Sequence, residues 1–192
     1  MNKKNRTLRI VLLGMFSSII FLQATIPFLG LIPIGPLSLT FIHVTVIVAA
    51  IVLGPAEGAV VGGVWGIITF VRAFTNPTSI IAPIIFTNPL VSVVPRILIG
   101  VVAGFVFHKL LKNKNAAAMS IAGIVGSLTN TILVLGLIYL FYRTPYANMY
   151  KIDVNEILPV LLGIVGTNGI PEAILSAVLV PIIAKPLLKL RK

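Results

Sequence analysis

Long apolar segments alternate with short polar or proline-rich connections along most of the chain. About six of these segments are predicted to span a membrane, because a crossing helix needs roughly 20 mostly apolar residues. They cover roughly residues 8–28, 38–53, 59–74, 90–111, 117–142 and 157–188. Residues 80–86 are apolar but too short to cross, so we expect a re-entrant or interfacial segment between the third and fourth spans. The pattern predicts a single domain, residues 1–192, built as an all-α six-helix transmembrane bundle.

Glycine and proline mark the connections and interrupt the last span. The loop after the first span is dense in them, with Pro27, Gly30, Pro33, Gly35 and Pro36. Residues 143–156 form the most polar connection. The run Asn168–Glu172 in the sixth span contains a glycine and a proline, which weaken a helix. Broken helices at membrane depth are tolerated where they line a cavity, so this run is predicted to border one.

Composition agrees with a membrane protein. Hydrophobic residues make up 58% of the chain and charged residues only 10%, whereas a soluble domain is about 25% charged. The basic N-terminus leads into an apolar segment with no convincing cleavage site, so we expect this segment to be kept as the first span. The chain has no cysteine, two histidines and four acidic residues. This set excludes thiol chemistry and argues against a dedicated metal site.

Basic residues predict the orientation of the bundle. They cluster before the first span (Lys3, Lys4, Arg6, Arg9), between the fourth and fifth (Lys109, Lys112, Lys114) and after the sixth (Lys185, Lys189, Arg191, Lys192). With an even number of spans, all three clusters lie on one side, opposite Arg72, Arg143 and Lys151. Since positive charge collects in the cytoplasm, both termini are predicted to be cytoplasmic.

Polar residues inside the spans are predicted to meet at one depth. Arg96 lies 13 residues before Lys109, which corresponds to about 20 Å of helix rise. The same rise per residue, counted from the ends of three other spans, places Asn130, Asn168 and Trp65 at a similar level. Polar groups at membrane depth are costly and usually face the bundle interior or a cavity. These four residues therefore predict a pocket in the outward half of the bilayer.

Each of these side chains also has a structural interpretation. Arg96 could form an ion pair with Glu172, or its planar guanidinium could bind a ligand carboxylate. Asn130 and Asn168 could bind a ligand or hydrogen-bond between helices. Trp65 could be a binding platform or could serve packing.

Three further side chains are candidates for the pocket, and one of them is Glu172, a rare carboxylate within a span. His43 lies near the outer end of the second span, where it could contact a ligand or simply a neighbouring helix. Asn88 opens the fourth span close to Arg96, so we interpret it as part of a lid.

Small residues recur at helical spacing in several spans. The faces are Gly58, Gly62 and Gly66; Gly100 and Gly104; Ala122 and Gly126; and Gly14 and Ser18. Such faces let helix backbones approach closely, which favours internal packing for most of them. The pair in the first span is the best candidate for contact with a partner protein.

Several function classes lack their motifs. The chain has no phosphate-binding loop, no zinc-protease helix and no nucleophile elbow, and its few acidic residues argue against an enzyme. No convincing internal repeat of the kind common in secondary transporters is present. A pocket with no visible energy source favours a binding subunit that uses the energy of partners. The alternatives are an autonomous small carrier or channel and a membrane-embedded enzyme.

Two sequence runs resemble a known family. Leu53–Ala59 reads LGPAEGA and precedes a glycine-rich third span, and Val94–Gly100 reads VPRILIG. Together with the size, the six predicted spans and the basic ends, these runs resemble the substrate-binding S component of an energy-coupling-factor (ECF) vitamin transporter. The similarity extends over nearly the whole chain.

The resemblance implies a plasma-membrane protein that needs no cofactor and captures a vitamin at the outer face. It also implies docking on a membrane coupling protein that carries two ATPases. The family's docking face is Ala-x-x-x-Ala in the first span, where this chain has Gly14 and Ser18.

Within the family the similarity is to the pantothenate-specific component. Arg96 would then bind the vitamin carboxylate, Asn130 and Asn168 its amide and hydroxyl groups, and Trp65 its apolar part. Another small anionic vitamin would suit the same residues.

Overall fold

The computed structural model describes residues 3–26, 29–32, 39–111 and 115–190. Their helices are α1 Lys3–Thr25, α2 Ile42–Leu53, α3 Pro55–Thr75, α4 Ala82–Ile85, α5 Pro89–Ser92, α6 Val94–Phe105, α7 Ala116–Tyr150, α8 Ile157–Ile164 and α9 Ile170–Leu190. Val106–Leu110 and Val165–Gly169 are π-helical turns, and Val154–Glu156 is a 3₁₀ turn. The two-residue strands β1 Leu31–Ile32 and β2 Leu39–Thr40 pair antiparallel.

Five helical stretches of the described chain are long and apolar enough to cross a membrane. They are Thr7–Thr25, Pro55–Thr75, Pro89–Leu110, Ala116–Tyr150 and Val154–Lys189. The segment expected as the second span is the 12-residue helix α2, which is about 18 Å long. Every residue of α2 except Thr45 is buried, and the helix contacts α1, α3, α6, α7 and α9. Protein therefore surrounds the short central helix.

Glycine and proline form the tight turn between α2 and α3. Gly54 has a φ of 127°, a left-handed conformation that side chains with a Cβ rarely adopt. Pro55 begins α3, a position where its missing N–H costs nothing. The turn brings α3 back along α2, and these two helices then pack on α6.

The glycine faces of α3 and α6 pack on each other. A Cβ built on Gly62 would lie 2.0 Å from the carbonyl oxygen of Arg96, and one on Gly100 would lie 2.2 Å from backbone atoms of Gly58. A Cβ built on Gly66 would also be too close to its neighbour, at 2.7 Å from the Cα of Val93. The internal-packing interpretation of these faces is therefore confirmed, and it fixes the backbone around Arg96.

The outer part of α7 differs from the prediction. The helix does not end near residue 142 but continues to Tyr150, through Pro145. Tyr146 and Ala147 are fully buried in an apolar cluster that includes Ile85 of α4 and Ile157 of α8. This burial favours continuation of the helix despite the backbone hydrogen bond that proline cannot donate. The predicted loop 143–156 is therefore wrong over its first half.

Helix α1 leaves a broad side uncovered. Val11, Gly14, Met15, Ser18 and Leu22 are exposed, and no atom lies within 4 Å of a Cβ built on Gly14. The other side of α1 is held by packing and by an ion pair between Arg9 and Glu57 of α3.

Several residues of the sequence predictions lie outside the described part of the chain. They are Pro27, Pro33, Gly35 and Pro36 of the first loop, and Lys112, Lys114, Arg191 and Lys192 of the basic clusters.

Candidate ligand-binding cavity

One cavity opens between α3, α6, α7 and the last helical stretch, in which the π turn Val165–Gly169 separates α8 from α9. The centres of water-sized molecules could occupy about 100 Å³ of it. Its polar lining consists of Thr40, Trp65, Thr69, Arg72, Thr78, Ser79, Arg96, Asn130, Thr131, Asn168 and Glu172. Its apolar lining consists of Ala24, Leu31, Ile42, Ala73, Ala82, Phe86, Val134, Leu135 and Ile164. Five of the seven predicted ligand-binding side chains therefore border the same space.

Arg96 reaches the cavity from the first turn of α6. Its side chain is buried, and its Nη1 donates a hydrogen bond to the carbonyl oxygen of Val91 at 2.9 Å. Its Cζ lies 5.0 Å from the ring centroid of Trp65 and 5.1 Å from that of Phe86. The Nε of Arg96 is buried without a hydrogen-bond partner among the described residues. The guanidinium is thus held by two rings and one carbonyl, with a donor left over.

Glu172 is not the ion-pair partner of Arg96. Its Oε1 accepts a hydrogen bond from the backbone N–H of Thr40 at 2.7 Å. The side chain is buried in the first turn of α9, so this bond ties the broken helix to the residue where β2 ends. Among the described residues, the ion pair present within 4.0 Å joins Arg9 and Glu57, and none joins Arg96 and Glu172. In the described structure no direct ion pair therefore links the two helices, although the charges of Arg96 and Glu172 interact electrostatically at longer range.

The two asparagines face the cavity from different helices. Asn130 of α7 is buried, and its Oδ1 has no hydrogen-bond partner within the described chain. Asn168 lies in the π turn between α8 and α9, where its Oδ1 accepts a bond from Thr167 Oγ1 at 2.9 Å. π turns insert an extra residue into a helix and often occur at functional sites. The predicted interruption of the sixth span therefore exists, and it delivers Asn168 to the cavity wall.

His43 and Asn88 do not line the cavity. His43 is fully buried, and its Nε2 lies 2.7 Å from Ser176 Oγ, which makes it a link between α2 and α9. Asn88 caps α5, since its Oδ1 accepts a hydrogen bond from the N–H of Leu90 at 2.9 Å. Both were predicted as pocket residues. The structure instead gives them structural hydrogen bonds, which correspond to the packing interpretation of His43.

Sequence reasoning missed several residues of the cavity. Thr69 and Arg72 follow Trp65 by four and seven positions, so they share its face of α3. That spacing could have identified both. Ser79 lies in the connection between α3 and α4, where no periodic pattern indicates the direction of a side chain. Its Oγ is buried and has no hydrogen-bond partner in the described structure.

The arrangement suits a small anion with further polar groups. Arg96 Nε offers a donor beside a positive charge, Asn130 Oδ1 an acceptor, and Ser79 Oγ either role. Trp65 and Phe86 supply apolar surface. Within the described residues, no group of three or more metal-ligating side chains is present. Together with the apolar helices, this cavity defines a membrane protein that binds a small polar molecule.

Comparison with known proteins identifies the class more closely. Residues 8–184 match the family described as ECF transporter, substrate-specific component. The chain is 37% identical over 191 residues to "Pantothenate transporter PanT" of Leuconostoc mesenteroides. This alignment covers 95% of this chain and 93% of that protein. It is 34% identical over 203 residues to "Pantothenic acid transporter PanT" of Lactococcus lactis subsp. cremoris, with 98% of each chain covered.

The chain therefore belongs to the family of substrate-specific components of ECF transporters. This confirms the resemblance found in the sequence. It also makes the chain a transport protein, not an enzyme, and a multi-pass protein of the plasma membrane.

Proposed function

We propose that this protein binds pantothenate at the outer face of the membrane as the substrate-specific subunit of an ECF importer. The observation that carries the proposal is Arg96, a buried guanidinium on the cavity wall with no carboxylate within 4.0 Å among the described residues. An unpaired charge is costly at membrane depth, and a ligand carboxylate would compensate it. The names of two relatives that align with nearly the whole chain support pantothenate as that ligand.

The lining matches the chemistry of pantothenate group by group. The vitamin carries one carboxylate, an amide, hydroxyl groups and a gem-dimethyl group. Arg96 binds the carboxylate, and Asn130 and Asn168 bind the amide and a hydroxyl. Trp65 packs against the apolar carbons. Glu172 holds the start of α9 against Thr40 beside the bound ligand, which the bond between them supports.

The proposal includes the topology and the partners. Residues 1–192 form one domain in which α2, although short, provides the second of six passages. Both termini then lie in the cytoplasm, which the distribution of basic residues supports. The uncovered side of α1 around Gly14 and Ser18 docks on a membrane coupling protein that carries two ATPases. Family membership supports this assembly.

Binding is tested on the purified protein. Trp65 is the only tryptophan of the chain and lines the cavity, so its fluorescence and calorimetry can both follow a pantothenate titration without ATP. We expect one equivalent to bind. Arg96→Gln should weaken binding by roughly 10- to 100-fold, because hydrogen bonds to charged groups contribute about 1.5–3 kcal/mol.

Arg143→Gln is the matched control, because Arg143 is an exposed residue of α7 that does not line the cavity. It should bind like the wild type. A wild-type chain that ignores pantothenate would refute the ligand, and unchanged affinity in Arg96→Gln would refute the role of Arg96. Uptake into liposomes that contain this chain alone would instead support an autonomous carrier.

A further inference from the structure

Ser79 lines the cavity, and its Oγ is buried without a hydrogen-bond partner among the described residues. Within the described chain, the polar side-chain atoms that share both properties belong to Ser79, Arg96 and Asn130. A buried hydroxyl without a partner destabilises the protein. Thr78 beside it also lines the cavity but has a partner of its own. Ser79 is therefore the hydroxyl of this connection that remains to be satisfied.

Along α3, the cavity lining runs from Trp65, beside Arg96, toward the connection that contains Ser79. The guanidinium of Arg96 is in contact with Trp65 and Phe86. From Trp65 the cavity follows one face of α3 through Thr69 to Arg72, which is about 10 Å further along the helix. Helix α3 ends at Thr75, four residues before Ser79. A ligand whose carboxylate meets Arg96 therefore extends its other end toward Ser79.

This end of the cavity is lined by the Arg72 guanidinium and by the hydroxyl groups of Thr69, Thr78 and Ser79. A serine hydroxyl can donate one hydrogen bond and accept others. No acidic side chain lines the cavity apart from Glu172 of α9, within the described residues. The Ser79 carbonyl oxygen is already used, since it accepts a bond from the N–H of Ala82 at 3.1 Å.

We propose that Ser79 is a specificity-determining residue that hydrogen-bonds the terminal hydroxyl of the ligand, at the end away from the carboxylate. The inference rests on the proposed function, which supplies a ligand with that hydroxyl. It assigns to the connection between α3 and α4 the selection of hydroxylated over unhydroxylated ligands. The carboxylate contact at Arg96 is independent of it.

A cycle of two proteins and two ligands tests this contact. Dissociation constants are measured by Trp65 fluorescence for the wild type and Ser79→Ala, each with pantothenate and with 4′-deoxypantothenate. We expect Ser79→Ala to weaken pantothenate binding roughly 3- to 10-fold, as for loss of one neutral hydrogen bond. The wild type should discriminate against the deoxy ligand by a similar factor. Ser79→Ala should bind the two ligands about equally, because without the serine hydroxyl it cannot form this hydrogen bond with either ligand.

Ser92→Ala is the matched control. Ser92 is buried near Arg96, its Oγ donates to the Asn88 carbonyl oxygen at 3.0 Å, and it does not line the cavity. This variant should keep the wild-type discrimination. Ser79→Cys, which keeps nearly the same shape with a weak donor, should lose most of it. It serves as the second variant if Ser79→Ala folds poorly.

The outcomes separate the two proposals. Equal loss of both ligands in Ser79→Ala would mean that Ser79 acts only through the structure, and no loss would mean that it makes no ligand contact. Either result overturns this inference while pantothenate binding by the wild type stands. A wild-type chain that binds neither ligand overturns the proposed function and this inference with it.

Discussion

The Arg96 guanidinium is held between two aromatic rings, with its Cζ 5.0 Å from the centroid of Trp65 and 5.1 Å from that of Phe86. Contacts of this kind suit arginine, because its cation is planar, delocalised and weakly hydrated. The Val91 carbonyl oxygen accepts a bond from one terminal nitrogen. The rings and the carbonyl thus fix the orientation of the group, and the proposed contact with a ligand carboxylate would use its unbonded Nε.

Arg96→Lys therefore tests geometry separately from charge. Lysine keeps the positive charge but is a compact, strongly hydrated group that cannot form the paired hydrogen bonds of a guanidinium. We expect pantothenate to bind about 10-fold or more weaker than to the wild type, from the loss of about 1.4 kcal/mol or more. Calorimetry with the wild type, Arg96→Lys and Arg96→Gln measures the effect. Affinity within about twofold of the wild type would mean that charge alone matters.

The depth of each residue in the membrane could be predicted from the sequence, but the direction in which its side chain points could not. A fixed rise per residue indicated a common level for Trp65, Arg96, Asn130 and Asn168, and all four line the cavity. The lid interpretation of Asn88 rested on its place at the start of the fourth span, and it failed because a residue at the start of a helix can instead cap it. Ser79 escaped prediction because it lies in a connection, where no helical period relates position to the direction of a side chain. Thr40 escaped because it was assigned to the second span, whereas it ends the short strand β2.

At the scale of elements, the contact between α3 and α6 positions Arg96, the residue of the proposed anion site. The glycine at position 62 lies directly on the backbone of Arg96, with 2.0 Å from its ideal Cβ position to the carbonyl oxygen. The next contacts along the same face are those of Gly58 with Gly100 and of Gly66 with Val93. This face was predictable from small residues four positions apart. Which side chain it would position was not.

Gly62→Ala should damage both stability and binding. The added methyl cannot be accommodated without moving α6, since the obstacle is backbone and not a flexible side chain. Overpacking of this kind costs about 1–3 kcal/mol, and here the displacement also moves Arg96. We expect a lower unfolding midpoint in detergent and a weaker pantothenate affinity, measured by thermal unfolding and Trp65 fluorescence.

Gly136→Ala is the control for that substitution. Gly136 lies within α7, and no atom is found within 4 Å of its ideal Cβ. Its replacement should leave binding unchanged and stabilise the helix by up to about 1 kcal/mol, because alanine favours helix over glycine. Equal behaviour of the two variants would contradict the role assigned to the contact between α3 and α6.

The irregular parts of the helices were only partly predictable. Glycine and proline indicated an interruption near Asn168, but not that it would take the form of a π turn followed directly by α9. Pro145 indicated the end of a helix that in fact continues. Burial of Tyr146 and Ala147 decides that case, and burial is a property of the assembled bundle rather than of the local sequence.

At the scale of the whole molecule, α1 is the element least enclosed by the bundle. Its packed side meets α2 and α3 and carries the Arg9–Glu57 ion pair. Its other side exposes Gly14 and Ser18, and the Ser18 hydroxyl is used locally, in a 2.9 Å bond to the Gly14 carbonyl oxygen. Among the described residues of α1, Ala24 borders the cavity, and Gly14 and Ser18 do not. Ligand capture and the proposed docking thus use separate surfaces.

This separation predicts that the two activities can be uncoupled. Gly14→Leu should fold and bind pantothenate like the wild type, because the space around Gly14 is open and remote from Arg96. It should abolish ATP-dependent uptake in liposomes that contain the coupling protein and both ATPases, since a large side chain prevents close approach of two helices. Gly136→Leu, at an equally open position on α7, should spare both activities. Retained uptake by Gly14→Leu would refute the docking face, whereas loss of uptake in both variants would mean that docking extends over more of the bundle than α1.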